Sequence, residues 1–221
     1  MKTRASDRRE LIVITTRCRR TSGALFLICL WLAGCAEMAY RHMNDSSRDA
    51  WQKPEEVIEK LAITPGSRVA DLGAGGGYFT WHLAKAVGSE GKVYAVEINA
   101  TALGIIEKEM STRGIGNVVP ISAEPNDPKL PEPVDLVFSC DTYHHMKDRI
   151  AYFRSLARYL GPNGRVAILD FHPHGFFSGF LGHGTVKEMV RREMESAGYW
   201  FVADSDVVDT QHFQIFSRTD S

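Results

Sequence analysis

From Arg68 to Ala197, short apolar runs alternate with stretches of helical periodicity, and no other feature constrains the fold as tightly. The runs are "RVADLG", "KVYAVEI", "NVVPIS", "VDLVFSC" and "RVAILDF". Between them the spacing predicts helices over Tyr78 to Val87 and Ala100 to Arg113. A third places Ile150, Phe153, Ala157 and Leu160 on one face and is closed by "GPNG". A later helix opens with the capping-box pair Thr185 and Glu188 and carries Val186, Met189, Val190 and Ala197 along one stripe. Parallel neighbours need a crossover between them, so this order predicts an α/β fold: a doubly wound, mostly parallel, seven-stranded sheet covered on both faces. The segment "YWFVADSDVVDTQHFQIFS" holds two strand-like pieces with no room for a helix, and is expected to close the sheet as an antiparallel hairpin. Ahead of the first run, Pro54 to Ala62 reads as a helix with proline at its first position and Glu55 and Glu56 in its positive first turn; "TPGS" stops it.

The first 34 residues stand apart. Lys2, Arg4, Arg8, Arg9, Arg17, Arg19 and Arg20 against Asp7 and Glu10 give a net charge of +5, followed by the uncharged run "GALFLICLWLAGC". A basic head before a short apolar run reads as a signal peptide, residues 1–34, because Gly23 to Ala33 is well short of the roughly 20 residues that cross a bilayer. Its end, Leu32-Ala33-Gly34-Cys35, resembles the lipobox of bacterial lipoproteins. That resemblance implies a lipidated Cys35 as the first mature residue, a membrane-anchored lipoprotein on the envelope side, and a cytoplasmic protein if the head is retained. The polar, irregular residues 35–50 are expected to be a tether, and 51–221 the folded domain.

Without its head the chain holds 19 basic and 25 acidic residues, a net charge near −6. A surface of that sign repels phosphate backbones and argues against a nucleic-acid partner. Cys18 and Cys29 leave with the head and Cys35 is claimed by lipid, so Cys140 has no intramolecular partner and reads as a small buried hydrophobe at a strand end.

In a doubly wound sheet, ligands sit beyond the carboxyl ends of the strands, and the first strand-to-helix turn is the usual contact. Here that turn is "DLGAGGGY", with four glycines from Gly73 to Gly77. Glycine crowding lets the main chain approach a ligand at contact distance and take positive φ. The stretch fails the dinucleotide pattern GxGxxG because its sixth position is Tyr78. It fits Asp-x-Gly-x-Gly-x-Gly, with Asp71 at the strand end and glycines at 73, 75 and 77. In this loop the sequence resembles the class I S-adenosylmethionine-dependent methyltransferases of the small-molecule type. The resemblance implies S-adenosylmethionine as cofactor, with Asp71, Gly73, Gly75, Gly77 and Tyr78 around its amino-acid half. It also implies Glu97, 20 residues past Gly77, on the ribose hydroxyls, and a polar side chain from "SAEPND" near the adenine, for which Glu124 is preferred to Asp127. The segment "SCDTYHHM" resembles the one bordering the methyl group and the substrate. Asp71 and loop carbonyls suit the ligand's ammonium, and amides at the start of the next helix suit its carboxylate.

Methyl transfer is a displacement at an activated carbon, governed by alignment of the nucleophile, and a base is needed only for a protonated acceptor. His144 or His145 could serve an oxygen or thiol acceptor, with Asp141 beside them and Asp170 and His172 in reserve; each histidine reads equally as pocket wall. In "FHPHGFFSGFLGHG", His172, His174 and His183 lack any fixed metal-ligand spacing, so no metal is expected; the glycines with Phe176, Phe177 and Phe180 read as an aromatic lid over a small, apolar substrate. Trp51 and Gln52 form another wall of the site or pack as core. Two other readings stay open: a lipoprotein that keeps this fold as a binding module without turnover, and a nicotinamide-dependent oxidoreductase, disfavoured by the missing last glycine and the terminal hairpin.

Overall fold

A computed structural model describes residues 38, 40, 44–173 and 184–218. They belong to one compact unit, Glu37–Ser221; the predicted signal peptide and Cys35 lie outside the described residues. A 3₁₀ turn, Ser46–Arg48, leads into a single helical turn α1 (Asp49–Gln52) and helix α2 (Pro54–Leu61). Then β1 (Arg68–Leu72), α3 (Tyr78–Val87), β2 (Lys92–Glu97), α4 (Ala100–Thr112), β3 (Val118–Ser122) and β4 (Val134–Cys140) follow. The chain finishes with α5 (Arg149–Leu156), β5 (Leu160–Phe171), α6 (Lys187–Ser196), β6 (Tyr199–Ser205) and β7 (Gln211–Arg218).

The seven strands lie in the order β3-β2-β1-β4-β5-β7-β6. β1 to β5 are mutually parallel, while β7 runs antiparallel to both β5 and β6. The expected terminal hairpin is therefore present with its second strand inserted inside its first. Strand order reverses between β1 and β4, so the loops after these two strands face one crevice.

Alternate residues of the central strands feed two cores. Val69, Leu136, Phe138 and Leu169 pack with Val57 and Leu61 of α2 and Phe79 and Leu83 of α3. Ala70, Val137, Val166 and Ile168 pack on the other face with Phe153 and Leu156 of α5 and Met194 of α6. Burial on both faces explains why these strands read as continuous apolar runs; each fully buried large side chain contributes about 1.5–3 kcal/mol.

Three local expectations come out differently. The helix predicted to reach Leu160 ends at Leu156 and tightens into a 3₁₀ turn, Ala157–Tyr159. "GPNG" lies within β5, as a bulge between the pairs Val134–Leu160 and Leu136–Arg165; Pro162 has no N–H to give the ladder, and the strand bows out around it. The capping box of Thr185 and Glu188 does not form: α6 starts at Lys187 without a side-chain cap, because the Thr185 hydroxyl is spent on Asp170. Residues 44–50, read as tether, are packed on the glycine loop.

Candidate active site

The glycine loop is tied down from both sides. Gly73 and Ala74 donate their N–H groups to the Val96 carbonyl of β2, at 2.8 and 3.1 Å. Gly73, Gly75 and Gly77 all take positive φ, 75°, 53° and 92°. A Cβ on Gly73 would stand 2.2 Å from Oγ1 of Thr142, so the loop after β4 closes directly on bare backbone there. Glu97 at the end of β2 braces the loop: its Oε2 accepts from Gly75 N–H at 3.0 Å, and its Oε1 from Ile98 and Asn99 N–H at 2.8 and 2.9 Å. Asn99 then caps α4 through the Thr101 N–H at 2.9 Å.

Asp71, 2 % exposed, accepts from the Thr80 hydroxyl at 2.6 Å. Burial pushes its carboxyl up to about 7; the Thr80 hydrogen bond opposes the rise, the Glu97 charge adds to it and the Arg48 charge opposes it. Tyr78 turns its hydroxyl away from the loop to Asp49, at 2.6 Å.

Across the crevice, Asp141 follows β4 with φ 53°, an uncommon conformation for a residue with a side chain. Its carboxylate accepts from Arg48 Nη2 at 3.0 Å and from the Gln211 amide. Burial raises it to about 6, with the charge of Arg48 opposing and that of Asp170 adding. One 3₁₀ turn on, Nδ1 of His144 lies 2.6 Å from Oδ1 of Asp170, which is itself 0 % exposed at the end of β5. The second oxygen of Asp170 accepts from the Thr185 hydroxyl at 2.6 Å, and His212 Nε2 meets the Thr185 carbonyl at 3.1 Å. Burial holds the His212 imidazole below its usual pKa. His144 thus stands in a fixed orientation on a buried carboxylate, as a positioned proton acceptor requires.

The other expected residues fall around this frame. His145 is exposed, its ring 4.0 Å from that of His144. Glu124 is exposed in a turn closed with Asp127 and pairs with Lys129. His172 is half-buried, 5.6 Å from the His212 ring. Trp51 stacks on Phe171 at 6.0 Å, while Gln52 is fully buried, donating to Gln211 at 2.7 Å. His174, His183, Phe176, Phe177 and Phe180 lie outside the described residues. Among the described residues no group of three or more His, Cys, Asp or Glu side chains could hold a metal ion.

Sequence reasoning passed over Asn44 and Arg48, which pack against the loop. The signal was available: Tyr40, Asn44, Arg48 and Gln52 recur every fourth residue, the spacing of one helical face. Bare loop backbone, with buried Asp71 and half-buried Glu97 at adjacent strand ends, fits a ligand carrying both an ammonium and paired hydroxyls.

Residues 70–166 match the family model of the methyltransferase domain. Over 126 residues the chain is 32% identical to the ubiquinone/menaquinone biosynthesis C-methyltransferase UbiE of Francisella philomiragia, 55% of this chain and 48% of that protein. The chain spans about half the length of the curated relatives it matches. Among solved structures, a SAM-dependent methyltransferase from Aquifex aeolicus superposes with a TM-score of 0.76 at 24% identity, over 83% of this chain and 98% of that one. Magnesium protoporphyrin IX methyltransferase from Synechocystis, solved with bound SAH, gives 0.61 at 19% identity, over 77% and 83%. Residues 70–166 are a methyltransferase domain by sequence, and the sheet that carries them has the fold of the S-adenosylmethionine-dependent methyltransferases.

Proposed function

We propose that this chain is an S-adenosylmethionine-dependent methyltransferase acting on a small, apolar acceptor. The observation that carries this reading is one crevice with two differently built sides: the bare loop braced by Glu97 and flanked by Asp71, and the His144–Asp170 pair across from it. S-adenosylmethionine supplies a methyl group already activated by its sulfonium. The residues of the chain do the rest. Gly73 to Gly77 and Glu97 hold amino-acid and ribose portions in place, and Thr142, whose hydroxyl reaches the Cys140 and Gly73 carbonyls at 3.0 and 3.3 Å, keeps the two loops together. Asp170 fixes the Nδ1 side of His144, leaving Nε2 to take the acceptor's proton as its nucleophilic atom attacks. Relatives named for C-methylation in ubiquinone and menaquinone biosynthesis make an apolar acceptor with an acidic C–H or O–H the first class to try.

The test is transfer of labelled methyl from S-adenosylmethionine to a panel of such acceptors by the full chain. Organic-soluble product is expected, falling about 100-fold in His144→Ala. Cofactor binding without any transfer would favour the binding-module reading instead.

We further propose that the domain is tethered to a membrane through lipidated Cys35, on the strength of the +5 head and the Leu32-Ala33-Gly34-Cys35 sequence. Intact mass of the membrane-extracted protein is expected to start at an acylated Cys35. A soluble protein beginning at Met1 would overturn the tether and return the chain to the cytoplasm, where the cofactor is made.

A further inference from the structure

The polar residues spaced at four along residues 40–52 each meet a different part of the crevice. The Tyr40 hydroxyl lies within electrostatic reach of the Glu97 carboxylate. Asn44 Nδ2 donates to the Gly76 carbonyl at 2.5 Å, and a Cβ on Gly76 would stand 2.8 Å from that nitrogen. The Asn44 Oδ1 is buried with no hydrogen-bond partner. Arg48 pairs with Asp141 at 3.0 Å, its guanidinium 4.3 Å from the centre of the Tyr78 ring and its Nε 2.5 Å from Gln52 Oε1. Gln52 in turn holds Gln211 and the Cys140 thiol. The two charged side chains are only 14 % and 18 % exposed.

A buried ion pair offsets little more than its own desolvation, so its presence beside a ligand crevice calls for a use beyond stability. This one is one residue from Thr142, the side chain that closes on Gly73, and so borders the part of the loop assigned to the amino-acid half of the cofactor. That half is a zwitterion. Arg48 and Asp141 present the complementary arrangement: a planar fork suited to a carboxylate next to a carboxylate suited to an ammonium. We propose that Arg48 and Asp141 together read the amino-acid end of the cofactor, Arg48 taking its carboxylate and Asp141 its ammonium. Insertion of the zwitterion turns one ion pair into an alternating set of four charges and adds no net charge to a buried site. The positive φ of Asp141 is what turns its carboxylate toward Arg48 from the end of β4. Residues 44–52 are on this view part of the cofactor site, reached directly from the segment that follows Cys35.

The proposal rests on the methyltransferase reading, and calorimetric titration of the full chain separates the two. Three ligands are used: S-adenosylhomocysteine, its decarboxylated analogue, and methylthioadenosine, which keeps the nucleoside and lacks the whole amino-acid end. Arg48→Met is expected to weaken S-adenosylhomocysteine about 10- to 100-fold, while changing the decarboxylated analogue and methylthioadenosine less than about twofold. Arg48→Lys keeps the charge, loses the fork and is expected to recover part of the loss. It also serves in place of Arg48→Met should that variant fail to fold, as judged by its melting curve. Asp141→Asn is expected to weaken S-adenosylhomocysteine and leave methylthioadenosine unchanged. Equal losses for all three ligands, or none, would show an ion pair that only fastens residues 44–52, and would overturn this proposal alone. Failure of the unsubstituted protein to bind any of the three would bring down the methyltransferase reading and this proposal with it.

Discussion

The two sides of the crevice are built on different principles. On the β1–β2 side, side chains serve nearby backbone: Glu97 takes three N–H groups from Gly75, Ile98 and Asn99, and the Val96 carbonyl takes two from the loop. On the β4–β5 side, side chains hold side chains from distant parts of the chain. Asp141 is joined to Arg48, 93 positions earlier, and to Gln211, 70 later; His144 is joined to Asp170 and, through it, to Thr185. The first is a rigid cradle that one stretch of sequence can specify. The second is a polar network that exists only once remote strands are neighbours, and it is the side that can change acceptor without disturbing the cradle.

Substitutions that break the cradle and spare the network, or the reverse, sharpen this contrast. The largest effect is expected from Gly73→Val, where φ of 75° and the Thr142 side chain 2.2 Å away both forbid a β-branched residue. Cofactor affinity is expected to fall at least about 100-fold by calorimetry, with a stability loss of about 1–3 kcal/mol in denaturant titration. Asp170→Asn leaves the cradle untouched and removes the charge behind His144; kcat is expected to drop about 10- to 100-fold with cofactor affinity within about twofold. A comparable loss of affinity would erase the division between the two sides.

The buried carboxyls give a pH signature. Asp71 rises from 3.8 to about 7 and Asp141 from 3.8 to about 6, chiefly through burial, so between these limits the folded chain binds protons that the unfolded chain has released. Their contribution to stability is therefore complete at low pH and is lost as pH rises through about 6 to 7. Asp71→Asn, which can still accept from Thr80, is expected to flatten the fall in melting temperature over that range; an unchanged slope would refute the assignment. Binding of the cofactor's ammonium beside Asp71 favours the carboxylate, so affinity is expected to rise with pH over the same interval. The smallest effect is expected at Glu124, whose side chain is 57% exposed and paired with Lys129. Glu124→Gln is expected to shift cofactor affinity by no more than about threefold, because exposed ion pairs are screened by water.

Much of this was legible from residue order. The alternation of apolar runs announced a parallel sheet because both faces of β1, β4 and β5 are buried, and Asp71, the glycines and Glu97 belong to consecutive elements whose spacing reports their geometry. His144 was legible as a candidate, but its partner was only one of several polar residues at strand ends. Thr185 was misread: as a capping residue it obeys a local rule, and Asp170 outcompeted the helix for its hydroxyl. Arg48 was missed because residues 44–50 are polar, which is also the composition of a solvated linker, and nothing nearby in sequence supplies the counter-charge.

Sequence by itself determined the strand–helix alternation, the bare loop after β1 and the acidic residue after β2, since each depends on propensities and spacings within a few residues. Only the tertiary structure decided that β7 slots between β5 and β6 to bring Gln211 and His212 to the crevice, that Arg48 meets Asp141, and that Asp170 stands behind His144. The physical reason is range. Backbone conformation responds to near neighbours, whereas a buried charge must find its partner wherever packing brings one within hydrogen-bond distance.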